Sequence, residues 1–165
     1  MRRALDAMRA CDPRLVVVGA GGAEVARLLP PQVITVDNPH HEQGMGSSLR
    51  VGLQAVMGSA DEPGVVEGGI DAVLVMLVDL PGVGPEVIER VIAAAGSAAD
   101  AHTAILRAGF NGRPRHPVLI GRKHWPGVIE TAVGDRGARD YLSAHPARLI
   151  ECGDVGTGED IDTQA

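Results

Sequence analysis

The sequence predicts a three-layer α/β/α sandwich built around a mostly parallel β-sheet. Apolar, β-branched runs alternate along the chain with helical patterns, and residues 72–78 are apolar at every position. A continuously apolar strand is typical of a parallel sheet that helices cover on both faces. We therefore expect the strand at 72–78 to lie at the centre of the sheet.

The first half of the chain predicts helix, strand, helix and strand, each ended by glycine or proline. The expected ranges are 2–10, 15–18, 23–29 and 33–36. After a polar loop at 37–46, Ser47 is the expected N-cap of a third helix, whose apolar side carries Leu49, Leu53 and Val56.

The second half continues the alternation. Residues 58–70 are rich in glycine, proline and carboxylates and predict a loop, and Pro85 suits the first turn of a helix that ends near Gly96. Further strands are expected at 103–107, 117–120 and 148–152, and further helices at 122–129 and 135–144.

Composition narrows the class of protein. The 165 residues fit a single domain spanning 1–165. A net charge of −6 and an aromatic content of 2% argue against nucleic-acid binding. The apolar runs are too short for a membrane span, and two cysteines are too few for a disulfide framework. We expect a cytoplasmic protein that binds neither nucleic acid nor membranes.

A glycine-rich turn at residues 19–22 imitates a dinucleotide-binding loop, with Asp37 at the end of the next strand. Glu24 stands where the start of the helix would meet a pyrophosphate, and its charge would repel the phosphates. A tight strand-to-helix turn is the favoured interpretation, and binding of NAD ranks last among the functional hypotheses.

Two further segments carry chemistry. Asp79 begins an Asp-Leu-Pro sequence directly after the apolar strand, where a carboxylate suits Mg²⁺, although a turn or capping role fits equally well. The Gly-Met-Gly-Ser-Ser sequence at 44–48 runs into a helix, where N–H groups and hydroxyls bind phosphates or carbonyls. Taken alone, that segment predicts only a capped helix.

Three C-terminal segments complete the set of candidates: residues 112–117, 134–139 and 160–163. Arginines in the first two can bind anions with two hydrogen bonds, and Asp160 and Asp162 are possible metal ligands. For each segment taken singly, a solvated loop charge is the simpler interpretation.

Taken in their order along the chain, from 44–48 through Asp79 to 160–163, the motifs resemble those of the MobA-like nucleotidyltransferases, most closely the molybdenum cofactor cytidylyltransferase branch. The resemblance spans nearly the whole chain and implies a Rossmann-like sheet of the nucleotide-diphospho-sugar transferase type. It also implies Mg²⁺-dependent transfer of CMP, or less favourably GMP, from an NTP to the phosphate of a molybdopterin-type cofactor. Pyrophosphate is then the second product.

The resemblance also assigns residues. It implies that the nucleotide contacts Gly44, Gly46, Ser47, Ser48 and Asp79, and that Asp79 and Asp162 are the catalytic metal ligands, with Asp160 the weaker candidate. It places His116, Asp135, Arg136 and Arg139 on the acceptor side.

Family members open with a strand and a glycine-rich loop that ends in arginine and lysine and grips the triphosphate. This sequence begins in what resembles the following helix, so we expect a domain that lacks its first strand and is truncated at the N-terminus. An alternative is a noncatalytic molybdopterin-binding accessory protein that serves a molybdenum hydroxylase.

Overall fold

The computed structural model describes residues 1–58 and 69–159, and within those ranges the chain forms seven α-helices and six strands. The helices are α1 (Arg2–Ala7), α2 (Gly22–Leu28), α3 (Met45–Met57), α4 (Pro85–Ala94), α5 (Ala98–Thr103), α6 (Trp125–Thr131) and α7 (Arg139–Ala144). The strands are β1 (Arg14–Val18), β2 (Val33–Asp37), β3 (Ala72–Val75), β4 (Ile105–Phe110), β5 (Arg113–Gly121) and β6 (Arg148–Glu151).

The chain divides into two compact units. Unit 1 comprises Met1–Asp12, Asp71–Lys123 and Ala147–Ala165, and unit 2 comprises Pro13–Ile70 and His124–Pro146. Each unit contains its own sheet, and each is described separately.

Unit 1 contains a four-stranded sheet in the order β3-β5-β4-β6. Strand β5 is antiparallel to both of its neighbours, whereas β4 and β6 are parallel. Helix α4 packs on this sheet through Val87, Ile88 and Val91, which are completely buried. These three positions follow the i, i+1, i+4 spacing of one helix face, so burial of that face fixes α4 against the sheet.

Unit 2 contains the parallel pair β1 and β2, in which Leu15 lies opposite Ile34. Helix α3 packs against both strands and against α6. Trp125 and Val128 in α6 are completely buried, so the largest side chain of this unit contributes to its core rather than to its surface.

The predicted α/β class is confirmed, since helices and strands are interleaved and both sheets contain parallel pairs. Two predictions about strands were wrong. The apolar strand ends at Val75 and, among the described strands, lies at the edge of its sheet because only β5 pairs with it. Residues 113–116, expected in a loop, begin β5, because Phe110 and Arg113 pair across a tight hairpin.

Two predictions about helices also need correction. The segment expected to be helical from 135 begins as a single 3-10 turn at Gly134–Arg136, and α7 starts only at Arg139, after Gly137 with a φ of 53°. Helix α5 was not predicted. Ser97 and Asp100 form a capping box at its start, which is a signal readable from the sequence.

No helix within residues 1–58 and 69–159 is long and apolar enough to cross a bilayer.

A single carboxylate joins the hairpin tip of unit 1 to the end of β6. Glu151 accepts hydrogen bonds from the backbone N–H groups of Gly112 at 3.0 Å, Asn111 at 2.9 Å and Gly153 at 2.9 Å. These hydrogen bonds, that of Gly112 foremost, hold the pKa of the Glu151 carboxyl below its ordinary value of 4.5 because they stabilise the charged form.

The lowered pKa predicts a pH-dependent contribution to stability. The contribution is complete above pH 4.5, the ordinary pKa, and is lost as the pH falls through the lower pKa of the folded state. We expect Glu151→Gln to lower the Tm by a few degrees at neutral pH and to converge with the unmutated protein in acid. Glu130→Gln, on the exposed side of α6, is the matched control. A Tm difference that is the same at both pH values would contradict this role.

Candidate functional site

The best-defined polar cluster of unit 2 forms where β2 leaves its sheet. Asn38 follows β2 directly and is 1% exposed. Its backbone N–H donates to the Val18 carbonyl at the end of β1, at 2.7 Å. Its side chain donates from Nδ2 to the Oγ atoms of Ser47 at 2.9 Å and Ser48 at 3.0 Å. Asn38 therefore connects the ends of both strands to the start of α3.

The Ser47 hydroxyl closes the same loop from the other side. Ser47 is 2% exposed, and its hydroxyl shares its single proton between the carbonyl oxygens of His40 and Gly44, which lie 2.9 Å and 2.8 Å from Oγ. The prediction that Ser47 is the N-cap was wrong: α3 begins at Met45 and Gly44 is its N-cap, with a φ of 92°. Gly44 adopts a positive φ that glycine tolerates easily, and the helix starts after it at Met45. That start is three residues earlier than the one that a Ser47 cap predicts.

Two motifs that lie far apart in the sequence meet at this loop. A Cβ atom at residue 44 would lie 2.5 Å from Oδ1 of Asp135 and 2.6 Å from the carbonyl carbon of Gly134. A Cβ atom at residue 46 would lie 2.8 Å from the carbonyl carbon of Ala132. Both glycines are therefore required by close packing, and the structure brings the predicted nucleotide segment into contact with the predicted acceptor segment.

The predicted acceptor residues of unit 2 are exposed. Asp135 lies in the turn against Gly44, while Arg136 pairs with Asp140 at 3.2 Å, with exposed fractions of 60% and 41%. An ion pair this exposed contributes little to stability. Little stability is therefore lost when the Arg136 guanidinium leaves Asp140 to bind an anionic ligand. Arg139 is exposed at the start of α7.

Unit 1 contains the other two predicted residues that the structure describes. Asp79 is exposed in the turn that follows β3, and it makes no hydrogen bond or ion pair with residues 1–58 or 69–159. His116 in β5 is half-buried, and its Nδ1 donates a long hydrogen bond of 3.4 Å to the carbonyl of Val75. His116 thus joins β5 to the end of β3.

The proposed second metal carboxylates, Asp160 and Asp162, lie outside the described residues. Within residues 1–58 and 69–159, no three His, Cys, Asp or Glu side chains are arranged to hold a metal ion. Asp79 by itself suits Mg²⁺, which binds one or two protein carboxylates and fills its other positions with water and phosphate oxygens.

The glycine turn at 19–22 has a structural explanation. A Cβ atom at Gly19 would lie 2.6 Å from Cβ of His41, and one at Gly22 would lie 2.8 Å from a Val18 methyl group. Close packing within unit 2 therefore accounts for these glycines, as the sequence favoured, and α2 behind them has only seven residues.

Sequence reasoning gave Asn38 no role of its own. The sequence places this asparagine at the end of a strand, nine and ten residues before two serines, which is the only pattern that could have pointed to it. Without the loop geometry, however, nothing distinguishes this asparagine from the ordinary turn residues that end many strands.

Three comparisons with known proteins bear on this geometry. Residues 1–149 match the MobA-like NTP transferase domain. The chain is 32% identical over 167 residues to nicotine blue oxidoreductase of Paenarthrobacter nicotinovorans, covering 93% of this chain and 72% of that protein.

Two solved mycobacterial structures share the fold. The Rv0371c homologue of Mycobacterium sp. strain JC1 has a TM-score of 0.69 and 23% identity, covering 98% of this chain and 75% of that one. Rv0371c of Mycobacterium tuberculosis H37Rv, solved as a complex with manganese, has a TM-score of 0.68 and 22% identity, covering 98% and 80%.

The packing at Gly44 yields a stability prediction. Gly44→Ala adds both left-handed strain and a collision with residues 134 and 135, so we expect a loss of about 3 kcal/mol or more in the free energy of unfolding. Gly112→Ala is the control, because its φ of 74° is similar but a Cβ atom there meets nothing within 4 Å. It should cost only about 1–2 kcal/mol in urea denaturation. Equal losses in the two variants would show that the contact with residues 134 and 135 is unimportant.

Proposed function

The chain belongs to the MobA-like NTP transferase family, and we propose that it transfers a nucleotide from an NTP to a phosphorylated acceptor, releasing pyrophosphate. The observation that carries this proposal is the contact between the Gly-Met-Gly-Ser-Ser loop and residues 132–135 in unit 2. In that contact, a glycine-rich loop at the start of a helix lies against the exposed Asp135, and the exposed Arg136 and Arg139 follow shortly after it in the chain.

We further propose CTP as the donor, with GTP second, and the phosphate of a molybdopterin-type cofactor as the acceptor. The support is the order of the sequence motifs, which most resembles that of the cytidylyltransferase branch. Arginine side chains bind phosphate oxygens through two parallel hydrogen bonds, so Arg136 and Arg139 suit a phosphorylated acceptor. The Asp135 carboxylate can accept hydrogen bonds from N–H groups on the ring system of the acceptor. His116 of unit 1 is the remaining candidate for contact with the acceptor.

The start of α3 is proposed as the nucleotide-binding element. Helix α3 has 13 residues and begins at Met45, so the backbone N–H groups of Met45 and Gly46 in its first turn have no carbonyl partner inside the helix. Such groups, together with the positive end of the helix dipole, attract phosphate oxygens. Ser47 and Ser48 belong to the same proposed element.

A divalent cation, which we propose to be Mg²⁺, would be held by Asp79 and Asp162, with Asp160 the weaker candidate. The manganese in the Rv0371c structure supports a divalent site in a protein of this fold. When bound, the ion neutralises charge on the phosphates. The role of Asp79 is to supply an exposed carboxylate with no competing partner among the described residues.

A second candidate is an oxidoreductase activity, favoured by the 32% identity to nicotine blue oxidoreductase over 93% of this chain. A reduced nicotinamide dinucleotide is the cosubstrate we would test. Close packing accounts for Gly19 and Gly22, which weakens the sequence signal for a dinucleotide site in this turn, so we rank this activity second.

Two parallel assays separate the candidates. In the first, the purified protein is incubated with Mg²⁺, molybdopterin, and CTP or GTP, and pyrophosphate release is followed. In the second, oxidation of NADH and NADPH is followed with nicotine blue as the acceptor. Pyrophosphate release supports the transferase, and dye-dependent NADPH oxidation supports the oxidoreductase. Copurified pterin fluorescence without either activity favours an accessory protein that delivers cofactor to a molybdenum hydroxylase.

The role of Asp79 predicts a specific loss. We expect Asp79→Asn to reduce Mg²⁺-dependent pyrophosphate release by at least about a hundredfold, because removing a metal ligand costs several kcal/mol of charge stabilisation. The Tm should not change, since Asp79 is exposed and its side chain contributes nothing to the core. Asp6→Asn, an exposed aspartate of α1, is the control. Full activity in Asp79→Asn would remove Asp79 from the proposed metal site.

A further inference from the structure

The single tyrosine of the chain, Tyr141 in α7, contacts α6 at two points. Its hydroxyl shares a hydrogen bond of 2.9 Å with Nδ1 of His124, the residue that precedes α6. A Cβ atom at Gly127 would lie only 2.4 Å from Cε2 of Tyr141, so the ring rests directly on the backbone of α6. Tyr141 therefore fixes α7 against α6 through both its ring and its hydroxyl.

A second histidine packs on the same ring. His145 follows α7, and its imidazole is stacked on Tyr141 with centroids 4.1 Å apart and an interplanar angle of 11°. Its Nδ1 donates to the backbone carbonyl of Tyr141 at 3.1 Å, since a carbonyl oxygen can only accept. The end of α7 thus folds back onto its own tyrosine, which restricts the orientation of the ring.

The segment that joins α6 to α7 carries the proposed acceptor residues of unit 2. Arg136 belongs to the 3-10 turn that packs on α3 at Gly44, whereas Arg139 is the first residue of α7. Gly137, with a φ of 53°, joins the turn to the helix. Glycine permits many backbone conformations, so this link does not by itself fix where α7 lies. The position of α7 depends instead on its contacts with α6, and Tyr141 supplies two of them.

The ion pair that crosses Gly137 cannot replace these contacts while an acceptor is bound. Arg136 pairs with Asp140 at 3.2 Å, and both side chains are largely exposed. A phosphate that binds the Arg136 guanidinium removes it from Asp140. The contacts of Tyr141 are made on the α6 side of the helix and do not compete with the ligand.

We propose that Tyr141 is a positioning residue for the acceptor, acting through Arg139, with His124 and Gly127 as its supports. This inference rests on the proposed transferase function. Two guanidinium groups bind one phosphate well only when their separation suits its oxygens. The turn that carries Arg136 is held by α3, and the helix that carries Arg139 is held by Tyr141. Tyr141 consequently controls the separation of the two arginines.

The test measures pyrophosphate release as a function of molybdopterin concentration at saturating CTP and Mg²⁺, with the Kd of CTP from calorimetry and the Tm. Tyr141→Phe removes only the hydroxyl. It should raise the KM of molybdopterin about 3- to 10-fold, the value of one hydrogen bond, and change kcat and the Kd of CTP less than about twofold. Ser143→Ala removes an exposed hydroxyl of the same helix and is the matched control. A lowered Tm with an unchanged KM would make Tyr141 purely structural.

Gly127→Ala displaces the ring by a different route. Alanine favours a helix more than glycine does, and the change removes no hydrogen-bonding group. Because the new Cβ atom would collide with the Tyr141 ring, the KM of molybdopterin should rise at least as much as in Tyr141→Phe. In a Tyr141→Ala background the collision is absent, so Gly127→Ala should then change the KM less than about twofold.

Substitutions at His124 test the hydrogen bond from its other end. His124→Asn keeps a polar group near the position of Nδ1 and should retain most of the affinity for molybdopterin. His124→Leu should act like Tyr141→Phe, and the double variant should show no further rise in KM. Additive effects of the two substitutions would overturn the role of this hydrogen bond.

The outcomes separate the two proposals. Pyrophosphate release by the unmutated protein, with an unchanged KM in both Tyr141→Phe and Gly127→Ala, overturns the positioning role and leaves the transferase function standing. Equal rises in the KM of molybdopterin and the Kd of CTP also overturn that role, because they indicate a general loosening of unit 2. Absence of pyrophosphate release by the unmutated protein with CTP and with GTP overturns the transferase function and this inference together.

Discussion

The buried amide of Asn38 is the constraint on which the candidate site of unit 2 depends. An unpaired amide in the interior costs about 1–3 kcal/mol for each lost hydrogen bond, so the loop must fold to satisfy all of its polar atoms. The solution adopted here uses the His40 backbone and the two serine hydroxyls. The loop from β2 to α3 is consequently held at both ends, although it contains several exposed polar residues.

The second constraint is the absence of side chains at Gly44 and Gly46. Their backbone lies against residues 132–135, which follow α6 nearly ninety residues later in the sequence. Packing of this kind fixes where the N–H groups of α3 point, because the helix cannot rotate without a collision with the Ala132 backbone. Rigid positioning of donors before a charged ligand arrives is what phosphoryl and nucleotidyl transfer require of a protein.

Local sequence patterns predicted most of the helices and strands. Proline, glycine and β-branched runs placed the helices and strands, because these residues act through the backbone of their own segment. The position of β3 at the edge of its sheet could not be predicted in this way. An apolar strand has the same sequence pattern whether another strand pairs with it or a helix covers it. The pairing of Phe110 with Arg113, which turned an expected loop into β5, likewise depends on tertiary contacts.

The site was predictable only in part. The glycines and serines at 44–48 and the acidic and basic residues at 135–139 were recognisable as motifs, but each alone also fits a capped helix or a solvated loop. Their contact in unit 2 needed coordinates, since spacing along the chain does not determine which loops meet. The hydrogen bonds of Ser47 and Ser48 with Asn38 could not be predicted from the sequence, because they depend on the orientation of the Asn38 side-chain amide in the folded loop.

The most direct measurement is a ¹H–¹⁵N NMR titration of the labelled protein with CTP and Mg²⁺, compared with NADPH. The account predicts that CTP shifts the backbone amides at residues 44–48 and the side-chain amide of Asn38, while NADPH leaves them unchanged. Shifts at these positions with NADPH, and none with CTP or GTP, would contradict a nucleotidyltransferase and favour the oxidoreductase.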